Sequence, residues 1–223
     1  MNNHPIRFSF LLLLFLFILG SCHQEDKKQI TDTYKTGKIE NMQGFFRYNK
    51  MEKQMDSLLN DFDSRSQIDK KDFKNNRARI FMDNYTNESD GFPAPCDCYL
   101  HHDTVTVKMG IGFFGGMGFL IHISGNRYDA SYFEYTDDNK PYKASLTDPE
   151  FSNHVIARGK SGALFMEEAP GFRTEQQLTG LLEFESDNFY IRRGISPESL
   201  VDSMSVTGKI YFTCKTRMKT AWD

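Results

Sequence analysis

Apolar and polar residues alternate along most of the chain after residue 96, which is the pattern of strands with one buried face. The clearest run spans residues 104–113, where apolar side chains alternate with Thr, Lys and Gly. We predict a hairpin turn at Gly115-Gly116, because both central positions of a type I′ turn need a positive φ. A second turn is predicted at Ser124-Gly125-Asn126. Further strands are predicted over 118–123, 128–135, 142–146, 163–166, 178–186, 189–192 and 206–214.

These segments predict a mainly β fold, an antiparallel β-sandwich or barrel of about eight strands, within a domain spanning residues 91–223. Two of the strands repeat one pattern, because Leu178–Ser186 and Val206–Cys214 both place an apolar residue, Gly, an aliphatic residue and Phe at alternate positions. We expect the two strands to occupy similar positions in one sheet system. In the second of them, Ile210 and Phe212 should point inward and Tyr211 outward.

A helical period precedes the β region. Residues 49–63 carry one apolar stripe, formed by Met51, Met55, Leu58, Leu59 and Phe62. This spacing predicts an N-terminal amphipathic helix within a helical segment assigned to residues 45–90. The helix is expected to lie against the sheet, and the alternative is a docking helix for a partner.

The most specific motif lies near the beginning of the chain. A run rich in Leu and Phe spans residues 8–19, too short to cross a bilayer, and it follows Arg7 and leads into Leu19-Gly20-Ser21-Cys22. This arrangement resembles the signal peptide and lipobox of bacterial lipoproteins. The resemblance implies a signal peptide over residues 1–21, cleavage before Cys22 and a covalent lipid on its thiol. Such a protein would be anchored to a membrane through acyl chains that resemble palmitate.

Residues 22–44 are polar and lack a period, so we interpret them as the tether of the anchored domain. His23 follows Cys22 where Asp can retain a lipoprotein at the inner membrane. We therefore expect the outer membrane, on its periplasmic face or at the cell surface. The mature chain would hold 26 of the 27 basic residues and all 30 acidic ones, a balance of −4. Because the two signs are mixed along the chain, nothing indicates nucleic-acid binding.

Three cysteines remain besides Cys22. Cys96 and Cys98 are too close in sequence to bond each other without strain, and Cys214 shares the inward parity of its strand. In an extracytoplasmic compartment we expect a disulfide from Cys214 to either Cys96 or Cys98.

A metal site competes with this interpretation of the cysteines. Cys96, Cys98, His101 and His102 place soft and borderline ligands within a few residues, a set that suits zinc or copper. The spacing matches no established zinc motif, so we expect no cofactor beyond the lipid on Cys22.

Other catalytic patterns are weak. Gly159-Lys160-Ser161 lacks the first glycine of a phosphate-binding loop, because that position is His154, and we interpret it as a turn. Glu167-Glu168 or the pair Glu183 and Glu185 would supply the two carboxylates of a glycosidase. Acids on strand faces are usually solvated, so these pairs alone do not indicate catalysis.

The sequence therefore predicts a lipid-anchored extracytoplasmic β domain with a non-catalytic role. That role would be binding, or accessory to an envelope complex, with an envelope protein or a glycan as partner. The alternative is a metal-binding protein or a hydrolase whose site forms only in three dimensions.

Overall fold

The structure is a computed structural model that describes residues 32–40, 75–83, 91–112, 115–194, 196 and 199–220. It is mainly β, as predicted. The strands are Asp32–Thr33 (β1), Lys35–Thr36 (β2), Arg77–Met82 (β3), Phe92–His101 (β4), Thr104–Gly112 (β5), Gly115–Ser124 (β6), Arg127–Thr136 (β7), Tyr142–Lys143 (β8), His154–Met166 (β9), Gln177–Ser186 (β10), Phe189–Arg192 (β11), Val201–Met204 (β12) and Thr207–Met218 (β13).

Eight strands form a closed antiparallel barrel, so the barrel rather than the sandwich is the architecture. The order around it is β7-β6-β5-β4-β3-β13-β10-β9, and pairing of β7 with β9 closes the ring. Inward residues of all eight strands fill the interior. The largest fully buried side chains include Tyr132, Phe119 and Phe212. The barrel is therefore packed with side chains, as small barrels are.

The strand β3 is short and lies between two longer strands. It pairs with β13 on one side and with β4 on the other. Beyond its beginning at Arg77, β4 and β13 meet directly and pair in parallel, with Thr216 opposite Cys98. The predicted boundary of the β domain at residue 91 is therefore too late, because β3 lies in the segment that was assigned as helical.

The repeated pattern in β10 and β13 has a structural explanation. The two strands are antiparallel neighbours, with Leu182 opposite Ile210 at the centre of the repeat. The glycine of each strand consequently faces the phenylalanine of the other, Gly180 opposite Phe212 and Gly208 opposite Phe184. Inside a barrel, a position without a side chain leaves room for the ring opposite it.

The predicted directions of the last strand are confirmed, with one addition. Ile210 and Phe212 are fully buried in the core, and Tyr211 points to the outer face. Tyr211 is nevertheless only 9% exposed, because Ile39, Phe81, Phe165 and Leu181 pack around it outside the barrel.

Two predicted turns lie inside strands instead. Gly115 and Gly116 belong to β6, where a Cβ on Gly116 would collide with the carbonyl of Ile111, so close backbone approach explains this glycine. Residues 159–161 lie within β9, whose pairing passes from β7 to β10 near an irregularity opposite Ser186. The turn at Gly125, with a φ of 58°, is confirmed.

Part of the predicted tether is built into the barrel. β1 pairs with the beginning of β7 at Arg127 and Tyr128, and β2 pairs in parallel with the end of β9. Between them, Tyr34 packs against the core and donates its hydroxyl to the carbonyl of Gly125. Residues 32–36 therefore lie between the beginning of β7 and the end of β9, where these two strands no longer pair with each other.

A separate three-stranded sheet has the order β12-β11-β8. It contributes Phe189 and Tyr142 to the core, and the Phe189 ring lies 5.8 Å from that of Tyr132. The strand predicted over residues 142–146 is shorter than expected, and Leu146 is exposed.

The predicted amphipathic helix over residues 49–63 lies outside the described residues. Within the described ranges, no helix has the length and apolar character needed to cross a membrane.

Candidate functional site

The structure joins Cys96 to Cys214 in a disulfide, one of the two pairings left open by the sequence. Their Cα atoms are 5.8 Å apart, where β4 and β13 come together next to the beginning of β3. Cys98 is a free, buried thiol, and burial raises its pKa to about 12. Cys22, the predicted lipidation site, lies outside the described residues.

The candidate metal ligands are not brought together. Cys96 is committed to the disulfide and Cys98 faces the interior, whereas His101 and His102 are exposed at the end of β4, with ring centroids 4.2 Å apart. In the described part of the chain, no group of three or more His, Cys, Asp or Glu side chains is placed to hold a metal ion.

A groove of about 600 Å³ lies on the outer face of β3, β13, β10 and β9, and we call it the outer groove. Its volume falls within the range typical of small-molecule sites. Strand register builds it from three cross-strand rows. The first row is Ser161, Glu185, Thr207 and Asp83, the second is Ala163, Glu183, Lys209 and Phe81, and the third is Phe165, Leu181, Tyr211 and Arg79. Ala163, Phe165, Leu181 and Arg79 belong to these rows without lining the groove.

Two carboxylates in the outer groove are contacted by side chains of neighbouring strands. Lys209 Nζ lies 2.8 Å from Glu183 Oε1, and this contact raises the pKa of the Lys209 ammonium. Glu185 accepts a hydrogen bond of 2.6 Å from the Ser161 hydroxyl and one of 3.3 Å from Lys160. These bonds lower the pKa of the Glu185 carboxyl, Ser161 contributing most.

Aromatic side chains form the apolar part of the outer groove. The Phe81 and Tyr211 rings meet edge to face, with centroids 6.0 Å apart. Burial raises the pKa of the Tyr211 hydroxyl above its ordinary value. The surface therefore combines apolar rings with fixed hydrogen-bond acceptors.

The paired carboxylates do not suit glycoside hydrolysis. That reaction needs one carboxyl group whose pKa is raised so that it can donate a proton. The pKa of Glu185 is instead lowered, and Glu183 is paired with Lys209. The charged form of Glu185 is thus favoured, and Glu183 is engaged by Lys209.

A second polar cluster crosses the outer face of β5, β6 and β7. Thr106, His122 and Asp129 lie directly opposite one another, with Thr106 Oγ1 3.0 Å from His122 Nδ1. A hydroxyl, an imidazole and a carboxylate are the groups of many nucleophilic hydrolases. Thr106 is only 5% exposed, however, so a substrate has no approach to its hydroxyl. The cluster does not support the hydrolase alternative.

Sequence reasoning found parts of the outer groove but not the groove itself. Glu183 and Glu185 were considered only as a catalytic pair, and Lys160 and Ser161 only as a turn. The strand register brings Ser161 and Lys160 to Glu185 across 24 and 25 residues of sequence. The alternation within β10 was the available signal for Glu183 and Glu185, since it places both side chains on the outer face. Alternation cannot place both Lys160 and Ser161 on that face, because they are adjacent in sequence.

Comparisons with known protein families, curated proteins and solved structures find no match to this chain.

Proposed function

We propose that this protein is a lipid-anchored, extracytoplasmic binding protein of the bacterial cell envelope, and that the outer groove binds its ligand. The anchor is the lipid on Cys22 that the lipobox resemblance implies. The expected location is the outer membrane, on its periplasmic face or at the cell surface. The role is binding, without catalysis.

The observation that carries the binding role is the outer groove. The barrel interior is filled by its own side chains, so a ligand is accommodated on the outside. There, a depression of about 600 Å³ combines aromatic rings with held carboxylates. An apolar depression with a few fixed polar groups is the usual form of a ligand site.

The anchor is tested by labelling cells with a palmitate analogue. We expect the wild-type protein to take up label and to fractionate with the outer membrane. The Cys22→Ser variant should lose the label and accumulate as the longer precursor. Equal labelling of both proteins would contradict the anchor.

The binding role is tested with full-length protein purified in detergent and titrated by calorimetry. The ligands are neutral oligosaccharides, acidic oligosaccharides, fatty acids and cationic peptides. Thr207→Trp should block the outer groove, because Thr207 is exposed and lines it. Lys215→Trp is the matched control, an exposed outer position farther along the same strand.

We expect at least one ligand class to bind the wild type and the control but not Thr207→Trp. If none of the classes binds, or if Thr207→Trp leaves all binding unchanged, the outer groove is not the ligand site.

A further inference from the structure

Two of the three carboxylates that line the outer groove are paired with lysines, and Asp83 lines it as well. Lys209 pairs with Glu183, and Lys160 pairs with Glu185, both through direct contacts. A site for a strongly charged ligand would present charges of one sign toward it. The paired Glu183 and Glu185 add little net charge, so beyond Asp83 the outer groove favours a neutral ligand over an anionic one.

The same side chains favour a ligand rich in hydroxyl groups. Carboxylates are acceptor-only groups with several lone pairs, so one contact from lysine or serine leaves room for further donors. Hydrogen bonds to charged acceptors are stronger than those between neutral groups. A ligand that offers many O–H donors would match the acceptors Glu183 and Glu185.

The aromatic part of the groove favours a ligand that also has an apolar face. Phe81 lies directly opposite Lys209, which itself pairs with Glu183, and Tyr211 lies two residues from Lys209 along β13. Sugar rings carry hydroxyl groups around their edge and C–H groups on their faces. They therefore combine both properties within one small unit.

A second depression extends the outer groove. It has a volume of about 410 Å³ and shares Glu183 and Tyr211 with the first. Its far wall is formed by residues 36–40, which are the last residue of β2 and the segment after it. Two depressions that meet at shared residues form a furrow, which suits an extended chain better than a single ring.

We propose that the ligand of the outer groove is a neutral oligosaccharide that spans both depressions. This inference rests on the proposed binding function. Its sugar faces pack on Phe81 and on the small exposed part of Tyr211, and its hydroxyl groups donate to Glu183 and Glu185.

The test titrates full-length protein with neutral oligosaccharides of glucose, mannose, xylose and N-acetylglucosamine, and with the corresponding monosaccharides. At least one oligosaccharide should bind, and more tightly than its monosaccharide, because only the longer chain reaches both depressions. Glu183→Gln should weaken that binding by about tenfold, the loss expected when a charged acceptor becomes neutral. Glu175→Gln is the matched control, because Glu175 also pairs with a lysine of β13, Lys215, outside the groove.

Two results separate this inference from the proposal beneath it. Binding of fatty acids, cationic peptides or acidic oligosaccharides alone, lost in Thr207→Trp, would overturn the neutral oligosaccharide and leave the groove as a ligand site. Oligosaccharide binding that Glu183→Gln and Glu175→Gln change equally would overturn the assigned contacts. No effect of Thr207→Trp on any ligand would overturn both proposals.

Discussion

Burial controls the chemistry of Cys98 at the scale of the single residue. Desolvation is the main cause that raises its thiol pKa to about 12, and the Asp97 carboxylate adds to it. Because the thiolate is the reactive form, we predict that Cys98 resists alkylation in the folded protein at about pH 8. It should react once guanidinium unfolds the chain. Mass spectrometry of labelled peptides measures both states, and rapid labelling of folded protein would contradict the prediction.

The pKa of the Glu185 carboxyl shifts in the opposite direction, because hydrogen bonds stabilise its charged form. Ser161 and then Lys160 lower its pKa in the folded protein. A depressed folded pKa stabilises the fold above the unfolded pKa, and this contribution disappears as the pH falls through the folded value. We expect Ser161→Ala to raise the pKa of Glu185 toward its ordinary value.

Carbon-detected NMR of the Glu185 carboxyl across acidic pH measures that change. Ser203→Ala is the control, since Ser203 is an exposed serine on the separate sheet. The same Glu185 pKa in wild type and Ser161→Ala would show that the hydroxyl does not hold the carboxylate.

At the scale of the element, β10 and β13 depend on glycine facing phenylalanine. A Cβ at Gly180 would overlap the Phe212 ring and approach Met166 Sδ to 2.9 Å. We predict that Gly180→Ala lowers the free energy of unfolding by about 1–3 kcal/mol, as overpacking of cores does. In the Gly180→Ala background, Phe212→Leu should lower the free energy of unfolding by less than it does in the wild type, because the smaller side chain relieves the overlap.

Urea unfolding of the four proteins in this cycle measures the coupling. Thr179→Ala serves as the neighbouring control, because Thr179 lies on the outer face of the same strand. Strictly additive effects of the two substitutions would contradict the proposed packing between Gly180 and Phe212.

At the scale of the whole molecule, the disulfide links two strands that are far apart in sequence. Cys96 and Cys214 are separated by 118 residues. Closing so long a loop restricts the unfolded chain, and loss of a native disulfide typically costs about 2–5 kcal/mol. We predict that Cys214→Ala lowers the free energy of unfolding by an amount in this range, because Cys96 then has no disulfide partner on β13.

Denaturant unfolding under non-reducing conditions measures this effect, with Cys98→Ala as the control for removing a buried sulfur. We expect Cys98→Ala to cost clearly less, since it breaks no cross-link. Equal losses in the two variants would show that the covalent link contributes little to stability.

The sequence by itself determined the local features of the protein. Alternation with a period of two predicted the strands around Val107, Ile121 and Phe212, and these side chains are fully buried. The turn predicted at Ser124-Gly125-Asn126 is present, and Gly125 has a positive φ there. Such features depend on neighbours only a few residues away, so they can be read from short stretches of sequence.

Tertiary structure decided which strands are neighbours, and with that the barrel, the disulfide and the outer groove. Alternation shows which face of a strand is buried, but not which strand lies beside it or in what register. β4 and β13 meet beyond the beginning of β3, and this places Cys96 rather than Cys98 next to Cys214. The outer groove likewise joins Phe81, Ser161 and Lys209 from three strands. Their proximity arises from backbone pairing between strands that are far apart in sequence. A short stretch of sequence does not indicate which strands pair in this way.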